Sequence, residues 1–464
     1  MPSLHTVYKG GVVLSLLLML RSVLWGPVTI CAIVGTGIYY TVRGHAFQCR
    51  AGTVLRGTLL QKQNISNGGI SPLRTLSAAL GACMGTGNIA GVGAALLTGG
   101  PGALVWMCVS SFFGMITSFA ETVLAVRYRE HTESGCPDGG AMFVLQKGLG
   151  LRKTGLAYAA LLTLSSFGVG NMAQVSAAAS AVHTAFGIPT TAVSAAFAVA
   201  VLLTVCGGIR RIAAVTEKAV PLLSAVFLLS AAGAIMLHAD AVPVAIQSVL
   251  RGAFCVRAAG GGVIGQAVRV GVTRGVFSNE AGLGSTAVIH AASDCDDPVQ
   301  QGLWGILEVF LDTVVMCTVT GLVILTSGVP VGGTDGASLY AEALAKTFGK
   351  GGEVLTALTL MLLGLASLVG WSYCGERGTA FLLGEKGLPV FRILYAAAAF
   401  GAGFLRLDTV FLLSDIANAL TAVPNLLTLW LLSGTVLSEL RRYKQFQNRI
   451  YFPRKHFKKR EETK

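Results

Sequence analysis

The sequence predicts an all-α polytopic membrane protein of about eleven transmembrane helices, arranged as inverted five-helix repeats with two interrupted helices. Three observations carry that prediction. The 464-residue chain is 53% hydrophobic, only 12% charged and has a mean hydropathy of +0.67, whereas soluble domains carry about a quarter charged residues. It holds 59 Gly against 13 Pro, a glycine load that weakens helices in water but suits closely packed or interrupted membrane helices. A glycine-rich motif also occurs twice, five spans apart. A soluble multidomain protein is excluded. So is nucleic acid as the reason for the net charge of +13, because that charge sits in loops and ends: Arg441 to Lys464 alone holds ten Lys/Arg and two Glu.

Taken in order, residues 1–73 lie outside the repeats. The apolar run Val12 to Leu20 is too short to span and reads as an interfacial lead-in to an extra helix at 24–43. The first repeat, 74–238, holds spans at 74–98, 102–126, 155–183, 190–207 and 219–238. The second, 239–440, holds spans at 259–291, 300–327, 353–383, 388–405 and 409–437, and a basic tail fills 441–464. Basic loops stay cytoplasmic. Arg43, Arg50, Arg56, Lys62 and Arg74 follow the first span, Arg127, Arg129, Lys147, Arg152 and Lys153 the third, and Arg210, Arg211 and Lys218 the fifth. The expected orientation is therefore N-terminus outside and C-terminus inside. Asn64-Ile65-Ser66 matches a glycosylation triplet but falls in a predicted cytoplasmic loop. Most of the ten cysteines lie inside spans, among them Cys31, Cys83, Cys108, Cys206, Cys317 and Cys374, with no C-x-x-C; they read as small core residues.

The second and seventh spans carry the chemistry. One reads Gly85-Thr86-Gly87-Asn88-Ile89-Ala90-Gly91-Val92-Gly93, the other Gly275-Val276-Phe277-Ser278-Asn279-Glu280-Ala281-Gly282-Leu283-Gly284. Both contain Asn-x-Ala-Gly-(Val/Leu)-Gly, and an odd number of helices per repeat inverts the second copy. Matching glycine-interrupted segments point to a transporter's midplane site. An unwound turn frees backbone N–H and C=O groups away from water. A bound zwitterion and a cation can satisfy them, the carboxylate at half-helix N-termini and the cation at freed carbonyls. The rival explanation, tight small-residue packing, accounts for a single glycine pair better than for a repeated six-residue pattern. A dinucleotide loop fails because Gly85-x-Gly87 follows no strand. No His-Glu-x-x-His, Gly-x-Ser-x-Gly triad or metal-ligand cluster is present, so an enzyme is not expected.

At these residues the chain resembles the alanine or glycine:cation symporter family, also called sodium:alanine symporters. The likeness rests on Gly85-Thr86-Gly87-Asn88-Ile89-Ala90-Gly91-Val92, Gly99-Gly100-Pro101-Gly102-Ala103, Arg274-Gly275-Val276-Phe277-Ser278-Asn279-Glu280-Ala281-Gly282, Gly370-Trp371-Ser372-Tyr373 and Gly375-Glu376-Arg377. It implies an eleven-helix, leucine-transporter-like protein of a prokaryotic plasma membrane that moves alanine, glycine or a similarly small amino acid with Na⁺, without a cofactor and without nucleic acid. Proton coupling is the alternative. The resemblance carries the substrate pocket onto Thr86, Gly87, Asn88, Gln174, Phe277, Ser278, Asn279 and Trp371. It places a cation site at Ser367 with carbonyls near Ala82 and Gly85. Two positions depart from the family pattern: Ser118 stands where a basic residue is usual, and Ala366-Ser367 offers one hydroxyl where two are usual.

Each residue has a plainer alternative. Ser367 either binds the cation or bonds back to its own helix. Gln174 either bonds a carboxylate or unwound backbone, or joins helices. Phe277 and Trp371 wall off a small side chain or merely pack. Glu308 and Asp312, at i and i+4, face the protein interior; they either carry a proton or form a gating or structural pair with Arg274 or a hydroxyl such as Thr313. Glu280 is expected to pair with Arg274 and support the interrupted helix, with a role as cation ligand as the alternative.

Overall fold

The computed structural model describes residues 11–52, 70–131, 137–254, 263–332, 336–405 and 407–451. Arg56, Lys62, the Asn64 triplet, the first residues of the expected 259–291 span and the end of the basic tail lie outside the described residues. The chain is built almost wholly of helices: α1 (Gly11–Leu24), α2 (Pro27–Arg43), α3 (Pro72–Cys83), α4 (Ala90–Gly99), α5 (Ala103–Arg127), α6 (Arg152–Phe186), α7 (Thr190–Val205), α8 (Gly208–Leu237) and α9 (Val242–Phe254). There follow α10 (Val263–Asn279), α11 (Ser285–Ala291), α12 (Pro298–Thr326), α13 (Gly336–Phe348), α14 (Lys350–Leu383), α15 (Leu388–Gly401), α16 (Leu407–Leu431) and α17 (Ser433–Tyr451).

Local chemistry sets many of these boundaries. Pro27, Pro72, Pro298 and Pro389 each stand in a first turn, where the missing N–H costs nothing. Asp297 caps α12 by accepting from the backbone N–H groups of Val299 and Gln300. The run Val12 to Leu20 is no isolated lead-in: α1 and α2 together form a 30-residue apolar segment, Leu14–Arg43, broken at Trp25-Gly26.

Among the described residues eight helices are long and apolar enough to cross a membrane, and the bent pair α3–α4 makes nine. Reaching the expected eleven means counting also α7, a shorter apolar helix, and the α10–α11 pair. A broken pair, two long helices, a shorter one and another long one occur in that order from 72 to 237 and again from 263 to 431, where α13 is inserted between the two long helices. Burial separates centre from rim: in their most apolar stretches α5 and α14 are 67% buried against 28% for α8. Leu222, Leu229 and Met236 of α8 are exposed, as lipid-facing residues would be. At the centre, α5 packs on α10, α11 and α12, while α14 packs on α3 and α6. Both breaks are thereby enclosed.

Candidate functional site

The first break begins where α3 stops. Thr86 to Asn88 form a single tight turn, and the helix resumes 60° away from its former direction. Asn88 holds the turn by accepting from the Gly85 N–H at 3.0 Å. Gln174, beside a widened turn of α6 at Gly168–Met172, accepts from the Thr86 N–H at 2.8 Å and donates to the Val169 carbonyl at 3.0 Å. One amide thus serves two freed backbone groups, the second of its expected uses. The Thr86 hydroxyl is buried and has no partner among the described residues.

The second break runs through three left-handed residues, Glu280 (φ 57), Gly282 (φ 97) and Gly284 (φ 76). Two are glycines, which reach that region without strain, while Glu280 is held there by its side chain. Its carboxylate accepts from Trp371 Nε1 at 2.7 Å and from Ser285 Oγ at 2.5 Å. Glu121 of α5 accepts from the Gly282 N–H, Asn425 of α16 donates to both Glu121 and the Gly282 carbonyl, and Tyr158 donates to the Leu283 carbonyl. The unwound backbone is thus answered from three helices.

Asp312 joins the two breaks. It accepts from Asn88 Nδ2 at 2.8 Å, Ser278 Oγ at 2.7 Å and Thr313 Oγ1 at 2.8 Å. Asn279 donates to Ser111 and Thr313 and turns its carbonyl oxygen toward the Ala281 N–H. Trp371 packs on Gly170, where a Cβ would fall 2.2 Å from that of the tryptophan. Phe277 lies beside Gly87 and Phe411. Ser367 donates to the Ala82 carbonyl at 2.7 Å, across to α3 rather than back into its own helix. Apart from the half-buried Phe411, these side chains are all buried.

Arg274 departs from expectation. It pairs neither with Glu280 nor with Glu308 or Asp312 but lies 3.6 Å from Asp415, which Arg21 meets at 2.7 Å, and its guanidinium covers the Phe277 ring at 5.5 Å. Six helical positions separate Arg274 from Glu280, which puts the two on different faces, and the left-handed turn then directs Glu280 to Trp371. Glu308 takes Cys83 and His290 as partners. Sequence reasoning missed Asp415, although an acid inside a final apolar span was a signal. It also missed Asn425 and Tyr158, whose role exists only where three helices meet.

The sequence model of the sodium:alanine symporter family matches residues 11–457. The chain belongs to the sodium:alanine symporter family. Among its relatives is the sodium/alanine symporter AgcS of Methanococcus maripaludis, 39% identical over 93% of this chain and 98% of that protein. Another is the probable sodium/glutamine symporter GlnT of Bacillus subtilis, 32% identical over 91% of this chain and 89% of that protein. Of solved structures, MhsT in complex with L-phenylalanine superposes with a TM-score of 0.57 at 14% identity, over 82% of this chain and 93% of that one. The leucine-transporter-like fold is therefore shared, and this family member is a transporter rather than an enzyme.

Proposed function

We propose that this symporter imports alanine, glycine or a similarly small amino acid together with Na⁺, by alternating access around the two breaks. The observation that carries the reading is the first break itself: an unwound turn braced by Gln174, with Gly87 beside Phe277 and a buried Thr86 hydroxyl that has no partner among the described residues. A zwitterion's carboxylate suits the donors of that turn, and its ammonium suits the carboxylates and carbonyls opposite. The substrate stays small because Phe277 packs beside Gly87 and Trp371 is pinned between Gly170 and Glu280.

In this reading Na⁺ takes oxygens from Ser367 and from the carbonyls of Ala82 and Gly85. One charge falling through about 100 mV yields roughly 2.3 kcal/mol. A tenfold gradient adds about 1.4 kcal/mol, enough together to concentrate a zwitterion on the order of a few hundredfold. The repeats would span 74–238 and 239–440, with the N-terminus outside and the C-terminus inside a prokaryotic plasma membrane.

The test is uptake of labelled alanine into proteoliposomes under an inward Na⁺ gradient, compared with an equal K⁺ gradient. Accumulation that needs Na⁺ and falls by tenfold or more in Asn88→Ala and Trp371→Ala supports the reading. Equal uptake under both gradients would sink it.

A further inference from the structure

His290, Gln301 and Glu308 form a polar cluster that the amino-acid site described above does not use. All three are fully buried. His290 stands in α11, while Gln301 and Glu308 lie two turns apart on one face of α12. Imidazole Nε2 is 2.8 Å from Glu308 Oε2, and Gln301 Nε2 is 2.9 Å from imidazole Nδ1 and 3.3 Å from Thr75 Oγ1. Cys83 donates its thiol to the other Glu308 oxygen at 2.9 Å. With the amide nitrogen donating, Nδ1 is a bare acceptor and Nε2–H donates to the carboxylate. The imidazole is then neutral and the cluster carries one negative charge.

Gln301 Oε1 is buried and has no partner among the described residues. Turned over, the same amide would set that oxygen against Nδ1, where it accepts from a protonated Nδ1–H. One end of Gln301 therefore serves the neutral ring and the other the imidazolium, which would also keep its bond to Glu308. A buried histidine with a fixed acceptor or donor on each nitrogen is restricted to one protonation state. This one has partners for two.

The surroundings are rich in acids. Besides His290, titratable groups near Glu308 include Cys83 of α3, Glu121 of α5, Glu280 after α10, Asp312 of α12 and Cys374 of α14. Asp138 stands in the short strand packed on α11, and Arg129 donates to the Ser293 carbonyl just past that helix. The side-chain partners of Glu121, Glu280, Glu308 and Asp312 are amides, hydroxyls, a thiol, an indole and one imidazole. That imidazole is the one basic group among them. Thr75 and Cys83 both belong to α3, and Cys83 directly follows Ala82, whose carbonyl is assigned above to Na⁺.

We propose that His290, Glu308 and Gln301 form a proton-binding site, filled at His290 Nδ1, whose proton opposes binding of the co-transported Na⁺. The inference rests on the Na⁺-coupled reading. Two positive charges held near one half-helix in a low-dielectric interior repel, so each weakens the other by the same factor. Na⁺ entry thus expels the proton from Nδ1 to solution, and no covalent bond changes.

The experiment measures the Na⁺ concentration that half-saturates alanine uptake in proteoliposomes of the full chain, from pH 5.5 to 8.5. Below the titration midpoint it should rise toward about tenfold per pH unit, the limit for one-proton antagonism. His290→Gln should flatten that dependence whatever its maximal rate. Where the variant does not fold, the wild-type protein decides: adding Na⁺ to purified, weakly buffered protein at acid pH should release about one proton per chain. A half-saturation constant independent of pH, or one whose pH dependence survives in His290→Gln, overturns the proton site while leaving Na⁺-driven uptake intact. Absence of Na⁺-driven uptake at every pH instead overturns the symporter reading. Proton release on Na⁺ addition, with or without alanine, still tests the site in that case.

Discussion

Ser367 shows how much a single hydroxyl carries here. Its bond to the Ala82 carbonyl at 2.7 Å ties α14 to the end of α3, where the helix stops and carbonyl oxygens come free. If Ser367 ligates Na⁺ as proposed, Ser367→Ala removes one of few oxygens, and the loss of one such contact is worth about 1.4 kcal/mol, a tenfold rise in half-saturating Na⁺. Ser367→Thr should keep the affinity near wild type, so comparing the two Na⁺ titrations checks a ligand role against simple packing. Asp138 gives a second residue-scale expectation, outside the spans. Burial pushes its carboxyl up from 3.8 to about 6, against the opposing pull of Arg377 at 3.3 Å. A folded-state value above the unfolded one means the native state holds the proton more tightly. The group's contribution to stability is then complete below about pH 4 and is lost as the pH rises through about 6. Asp138→Asn cannot titrate. The melting temperature of the wild type relative to Asp138→Asn should therefore fall between pH 4 and 6, by no more than about 3 kcal/mol in stability.

At the scale of elements, the two interrupted helices were legible because their signal is local. Gly, Asn and Ser in the middle of an apolar run contradict helix propensity wherever they occur, and the same pattern stands twice in the chain. What answers the freed backbone was not legible. Gln174, Glu121, Asn425 and Tyr158 come from spans that look ordinary in sequence, and only packing brings them to the breaks. The direction of Ser367 was equally open, since a serine in a helix bonds backward as readily as across. Gly170 marks where such packing is least forgiving. A methyl group there would sit 2.2 Å from the Trp371 Cβ, whereas at Gly91 a Cβ meets nothing within 4 Å. Gly170→Ala must displace Trp371 or the widened turn of α6, at a cost of about 1–3 kcal/mol. The expected outcome is a lowered melting temperature and loss of most alanine uptake, with Gly91→Ala close to wild type in both measurements.

Across the described residues, an ion-pair network connects α1 to the long span α16 and to the second break. Asp415 of α16 receives Arg21 of α1 and Arg274 of α10, its backbone carbonyl accepts from Trp25, and Arg274 in turn lies over Phe277. Residues some four hundred positions apart thus meet beside the second break. Sequence separation hid this: Arg274 had nearer acids on offer, and only the fold places Asp415 within 3.6 Å of it. The three charges are not equivalent. Arg21 keeps 35% of its side chain exposed, whereas Arg274 and Asp415 keep 12% and 1%. Removing Arg21 leaves Asp415 still facing the buried Arg274, so the carboxylate keeps a partner and the loss is the smaller one. Removing Asp415 strands a buried guanidinium, and breaking a buried pair from one side costs about 3–5 kcal/mol. Arg21→Ala should accordingly leave melting temperature and uptake near wild type. Asp415→Ala should lower the melting temperature sharply and, by freeing Arg274 from its seat over Phe277, raise the alanine concentration needed for half-maximal uptake. Equal effects from the two variants, in thermal melts and in uptake, would mean that Asp415 does not anchor Arg274 at the second break.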